Sequence, residues 1–103
     1  MKFNIKHDAK NQKFFTLIGG KECALKYNKV NDTLLDFKLM FVPQNLRGQG
    51  LASRITEFGI MFAKKNGMKI KTTCSYVAEY VQRHKDKDMI EFRREEATTP
   101  VAV

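Results

Sequence analysis

Hydrophobic and polar residues alternate from the first residues of the chain. Phe3, Ile5 and His7 fall on one side of an extended segment and Asn4 and Lys6 on the other, the period-two signature of a strand. A polar turn follows at residues 8–12, and then a run rich in strand formers from Lys13 to Ile18. Gly19 and Gly20 form a two-residue hairpin signal, because a tight primed turn needs positive φ angles. The next strand sets Cys23, Leu25 and Tyr27 on one face and Glu22 and Lys26 on the other, with a further turn at residues 28–32. In the fourth strand, residues 33–42, Leu35, Phe37, Leu39 and Phe41 form a continuous apolar face. Its other face starts polar, with Asp36 and Lys38, and ends apolar, with Met40 and Val42. The pattern predicts a strand buried on both sides at its end. Short turns between successive strands predict an antiparallel meander.

At Gly50 the period changes. Leu51, Ile55, Phe58 and Phe62 recur at helical spacing as a core-facing stripe, and Ala52, Gly59 and Ala63 are small enough for close approach to a sheet. Asn66 and Gly67 supply the stop. Residues 68–73 read as a short strand, and a helix crossing between two strands makes them parallel neighbours. Tyr76, Val77, Tyr80, Val81 and His84 give a second helical face. Beyond Asp88 the pattern decays. The expected organisation is one domain over residues 1–90 and a partly disordered tail over 91–103. The fold class is α/β (α+β): a four-stranded antiparallel meander, a helix, a parallel fifth strand and a C-terminal helix.

Composition narrows this picture. A chain of 103 residues supports one modest core, and 43% hydrophobic with 29% charged residues is ordinary for a globular domain. No apolar run approaches the roughly 20 residues of a membrane span, and the N-terminus lacks the apolar core of a signal peptide. Cys23 and Cys74 have neither zinc-type spacing nor the numbers for a disulfide framework, so a cytoplasmic chain with reduced thiols and no metal is expected. The net charge of +8 points to anionic partners, which include nucleic acid, a phosphate-bearing cofactor and an anionic membrane surface. The lysines are spread along the chain, so most of them solvate the surface.

The candidate chemistry lies between Phe41 and Ala52. A strand-like run ends at Pro43, a short loop carries Arg47, Gly48, Gln49 and Gly50, and a helical pattern begins at once. The glycines permit backbone angles at which successive N–H groups converge, at the positive end of a helix. Two readings follow: an anion-binding turn suited to phosphate, or a tight connection that binds nothing. A P-loop would need Lys-Ser or Lys-Thr after the glycines, and Ser53 stands where a Rossmann loop has its third glycine.

Arg47, Gly50 and Ala52 fit the Arg/Gln-x-x-Gly-x-Gly/Ala signature of the GNAT acetyltransferase superfamily, at the family's place between the fourth strand and the next helix. With Val42 and Pro43 before it, and the strand at residues 69–72 and the segment 74–84 after it, the chain resembles the very small single-domain members of that superfamily. The resemblance covers roughly residues 2 to 90 and implies a minimal GNAT-like fold. Larger members carry helices between the first two strands, where this chain has only a turn. The implied cofactor is acetyl-coenzyme A. Its pyrophosphate would lie on the amides of Arg47, Gly48, Gln49, Gly50, Leu51 and Ala52, and its pantetheine arm would pair with backbone groups of Leu39, Met40, Phe41 and Val42. A backbone N–H there would polarise the thioester carbonyl.

Among side chains, Cys74 falls where the fifth strand ends and the last helix begins. Its expected place at a helix N-terminus, near Lys69 and Lys71, and the resemblance make it a candidate nucleophile or acid near the thioester. The alternative is an inert, buried thiol, which is the reading for Cys23. The family's tyrosine after the fifth strand, which protonates the departing thiolate, has two candidates here, Tyr76 and Tyr80, and helical spacing also explains both as core residues. His84 is a candidate general base, a task that suits histidine as a residue type, against the reading of a cap or surface residue; His7 and Glu22 have weaker claims. Members of the subgroup often have proline after this cysteine and this histidine, where Ser75 and Lys85 stand here. Two functions compete. One is an acetyl-coenzyme A-dependent N-acetyltransferase acting on an amine of unknown identity, as a monomer or weak dimer. The other is a non-catalytic module that binds coenzyme A or nucleic acid. Nucleic acid is not expected, since no aromatic–basic strand motif or recognition helix is present.

Overall fold

The turn signals at residues 8–12 and 19–20 each separate two strands of one sheet. In the computed structural model, which describes residues 3–84 with His84 by its backbone alone, the strands are β1 (Lys6–Asp8), β2 (Lys13–Ile18), β3 (Lys21–Asn31), β4 (Leu34–Phe41) and β5 (Lys69–Thr72). A single 3-10 turn (Gln44–Leu46) and helix α1 (Leu51–Lys65) connect β4 to β5, and α2 (Ser75–His84) follows. The sheet order is β1-β2-β3-β4-β5, antiparallel up to β4 and parallel between β4 and β5. Gly19 and Gly20, both at positive φ, close the β2–β3 hairpin. The α+β class and the meander–helix–strand–helix order agree with the reading of the sequence. The tail expected at residues 91–103 lies outside the described residues.

One face of the sheet is the core. Phe14 is fully buried at its centre, ringed by His7 (centroids 4.7 Å apart), Tyr27 (4.9 Å), Phe62 (5.6 Å), Phe58 (5.8 Å) and Phe37 (6.1 Å). Helix α1 crosses this face at Gly59, where an added Cβ would stand 3.1 Å from the Phe37 ring and 3.2 Å from the Phe14 ring. The close approach expected of the small residues is therefore made by Gly59. Its effect is to rotate the helix: Thr56, Ile60 and Ala63 are buried beside Leu51 and Ile55, while Phe58 and Phe62 are half-buried at the flank. Val77, Tyr80 and Val81 of α2 join the same core.

Three differences from the sequence pattern have physical causes. The first strand is shorter than its alternation, because β1 pairs with β2 only from Lys6 to Asp8; Phe3 and Ile5 still pack against the core, and Asn4 is held through its carbonyl by the Thr16 hydroxyl (2.9 Å). The third strand runs through the predicted turn to Asn31, and the reversal falls at Asp32 and Thr33. The third difference concerns β4. Lys26 pairs with Leu39 but Tyr27 with Phe37, so Lys38 is the extra residue of a β-bulge. One extra residue inverts the alternation. Leu35 and Phe37 face the core, but beyond the bulge Met40 and Val42 do, and Leu39 and Phe41 turn outward, 56% and 53% exposed. The expected continuous apolar face, and the two-sided burial of the strand end, are corrected accordingly.

Candidate active site

The parallel ladder between β4 and β5 stops early. Its last pair is Phe37 with Thr72, while β4 continues to Phe41. Thr72 and Thr73 terminate it together: the Thr72 hydroxyl (2.8 Å) and the Thr73 amide (3.0 Å) both donate to the Phe37 carbonyl. The Cys74 amide turns back to the Thr72 hydroxyl at 2.9 Å, and the Cys74 carbonyl accepts the first helical bond of α2, from Ala78. The chain thus leaves the sheet at Thr73. From the bulge at Lys38 onward, β4 has a backbone edge with no ladder partner from β5. A groove of about 840 Å³ lies beside that edge.

The loop before α1 forms another wall of the groove. Gly48 and Gly50 both have φ of +83°, and a Cβ at either would meet no atom within 4 Å, so the space over the loop is open. Gly50 is the residue preceding α1, in the left-handed conformation; it provides no capping side chain, and no acidic residue stands in the first turn. Among the described residues no side chain caps the leading amides of α1, so they are open to an outside acceptor at the positive end of a fifteen-residue helix. Arg47 acts on the protein itself: its Nε donates to the Val42 carbonyl at 2.9 Å and fixes the loop to the end of β4. A phosphate group fits such a cradle of uncapped amides.

The residues expected from sequence distribute as follows. Leu39, Met40 and Val42 of the strand end line the groove, as do Arg47, Gly48, Gly50, Leu51 and Ala52 of the loop and helix start. Half-buried Cys74 lines it too. Gln49 and Phe41 are not among the lining residues. Tyr80, 6% exposed, belongs to the core, whereas Tyr76 faces the groove with its hydroxyl hydrogen-bonded to Ser53 Oγ at 2.9 Å. His84 closes α2, and its side chain lies outside the description.

Lys38, Ser53 and Arg83 also line the groove without having been singled out from sequence. The helical spacing of Tyr76 and Arg83, seven apart, carried a readable signal for the latter; Lys38 is placed by a bulge that no local pattern marked. His7 lies elsewhere, in a second cavity of about 590 Å³, hydrogen-bonded to the Tyr27 hydroxyl at 2.5 Å. Burial lowers its pKa, against the opposing effect of Asp8. Cys23 is fully buried, and its thiol is pushed up by burial and secondarily by Glu22, which suits a structural thiol. Glu22 itself pairs with Lys13 at 2.6 Å. Among the described residues no group of three or more His, Cys, Asp or Glu is placed to hold a metal, and no helix is long and apolar enough to cross a membrane.

A small α+β domain with a parted β4–β5 pair and an uncapped glycine loop defines the class. The family model for GCN5-related N-acetyltransferases matches residues 13–90, and the chain belongs to that family. The fold is also similar to the NMR solution structure of a GCN5-like candidate N-acetyltransferase from Staphylococcus aureus, at 20% identity and a TM-score of 0.60, over 84% of this chain and 83% of that one. A comparison with curated proteins found no match.

Proposed function

We propose that the protein is an acetyl-coenzyme A-dependent N-acetyltransferase of the cytoplasm that acetylates an amine. The observation that carries this reading is the parting of β4 from β5 beyond Phe37 and Thr72, with the glycine loop and Cys74 on the walls of the groove so opened. Acetyl-coenzyme A supplies the acetyl group as an activated thioester. The chain's part is to hold and polarise it. The amides from Gly48 into the first turn of α1 hold the pyrophosphate, and the unpaired edge of β4 at residues 39–42 takes the pantetheine amides in the place of β5. A backbone N–H on that edge polarises the carbonyl, where negative charge develops. Binding both partners in one groove supplies orientation.

The amine nitrogen bonds to the acetyl carbon as the carbon–sulfur bond breaks, and the proton lost by the amine ends on the departing sulfur. Tyr76 and Cys74 are the protic side chains on the groove suited to deliver that proton. Of the two tyrosines, Tyr76 suits the role through its position, and Tyr80 is the less suited for its burial in the core. A second reading, a coenzyme A-binding module without turnover, draws on one observation: only the short turn after Asp8 separates β1 from β2, leaving little surface around an acceptor.

The test is calorimetric titration with acetyl-coenzyme A of the wild type and of Gly50→Glu, followed by thioester consumption across a panel of amines with Cys74→Ala and Tyr76→Phe as controls. Saturable binding lost in Gly50→Glu, with turnover that falls in either control, is the expected result. Binding without turnover by any amine selects the module. No binding by the folded wild type overturns both readings.

A further inference from the structure

The sheet has a second face, away from α1, and the register maps it residue by residue. Phe15, Ala24 and Phe41 form one row across β2, β3 and β4 on that face, Lys13, Lys26 and Leu39 the next, and Leu17 stands beside Glu22. Leu17, Leu39 and Phe41 are each more than half exposed, at 60%, 56% and 53%. Two of these three owe their orientation to the bulge at Lys38. Strands spaced about 4.8 Å and residues rising about 3.4 Å make this a strip on the order of 10 by 14 Å, the footprint of a short extended segment. The strip is continuous with the groove, since Leu39 belongs to both.

Positive charge is in slight excess here. Three carboxylates share this face: Glu22 is paired with Lys13 and buried Asp36 lies beside Lys38, while Asp8 keeps its charge under hydrogen bonds from the amide and Nδ2 of Asn11. Lys6 and Lys26 are exposed and form no ion pair among the described residues. Lys13, paired with Glu22, lies over the Phe15 ring, 5.3 Å from its centroid. A second copy of this chain, also at +8, would bring its own lysines against these. An apolar segment with acidic residues meets both demands.

We infer that this outer face is the acceptor platform: a peptide segment of a protein docks on Leu17, Phe15, Phe41 and Leu39 through apolar side chains, its acidic residues meet Lys6 and Lys26, and its lysine amine reaches the groove past Leu39. This rests on the acetyltransferase reading and names its substrate class. The platform's small area makes the complex a transient one, so specificity appears in KM.

The test uses synthetic peptides of equal length, each with one lysine, flanked by leucine and aspartate, by glycine and serine, or by leucine and arginine. Acetylation is read by mass spectrometry for the wild type and for the double variant Leu17→Ser/Lys26→Glu, whose exposed positions lie outside the groove. Binding of the same peptides, fluorescently labelled, is read by anisotropy with coenzyme A present. The leucine–aspartate peptide is expected to be the best substrate. The variant should raise its KM about tenfold, the worth of one apolar contact, and leave turnover of a simple alkylamine unchanged. Anisotropy alone, positive for that peptide and lost in the variant without any acetylation, supports the platform and refutes the acetyltransferase reading. Equal use of all three peptides overturns the proposal, as does a wild-type dimer, seen by sedimentation, that the variant abolishes.

Discussion

Four glycines separate backbone strain from ligand binding. Gly19, Gly20, Gly48 and Gly50 have φ of +58°, +81°, +83° and +83°, and a Cβ at any of them would meet no atom within 4 Å. Alanine at each therefore costs the strain of a left-handed residue and little else, about 1–2 kcal/mol. For a domain of this size about 1 kcal/mol lowers Tm by roughly 4–8 °C, so four similar losses are expected by thermal denaturation. Acetyl-coenzyme A should divide the set. A methyl group on the phosphate cradle displaces the ligand from one charge-assisted hydrogen bond, worth about 1.5–3 kcal/mol. Gly48→Ala and Gly50→Ala should then bind acetyl-coenzyme A by calorimetry about 10- to 100-fold more weakly than wild type. Gly19→Ala and Gly20→Ala, in the β2–β3 turn, should bind it as wild type does. Unchanged affinity in Gly50→Ala, or an equal loss in Gly20→Ala, would refute the cradle.

Three further predictions concern the core. Gly59→Ala should lower the urea midpoint, because a methyl group 3.1–3.2 Å from two buried rings overpacks at about 1–3 kcal/mol and exceeds the roughly 1 kcal/mol gained in helix propensity; a more stable variant would mean that the rings give way. Thr56 is fully buried with no partner for Oγ1 among the described residues, so Thr56→Val, equal in shape, should raise stability by about 1 kcal/mol, and a lower midpoint would reveal a partner for the hydroxyl. His7 has its pKa lowered by burial from 6.5, with Asp8 opposing. The unfolded chain therefore takes up a proton that the fold resists, so this contribution is complete above about pH 6.5 and is lost as pH falls through the lowered value. Tm measured from pH 8 to pH 5 should decline less steeply in His7→Gln, and parallel curves would remove His7 as the cause.

The elements were legible because their signals are local. Gly19 and Gly20 mark a turn by φ alone, Lys13 to Ile18 reads as a strand by residue type, and Leu51 with Ile55 sets the helical face within one turn. The glycine loop was legible for the same reason: Arg47, Gly48 and Gly50 sit within four residues, and their geometry depends on their own backbone. The groove was not. It requires Thr72 and Thr73 to close on Phe37, thirty-five residues back for the Thr72 hydroxyl, and nothing near either residue in the sequence announces that contact. Choosing between Tyr76 and Tyr80 was equally non-local, because both recur at helical spacing and only the packing of α2 against α1, through Ser53, turns one outward to the groove.

The sequence by itself determined the order of strands and helices, the parallel placement of β5 and the position of an uncapped helix start after two glycines. These follow from periodicity and from the angles glycine allows. Tertiary structure alone decided the bulge at Lys38, the outward turn of Leu39 and Phe41, and the parting of β4 from β5. The physical reason lies in pairing. A bulge exists only relative to the partner strand, as Lys26 against Leu39 and Tyr27 against Phe37, and a single extra residue between those pairs exchanges the two faces of everything after it.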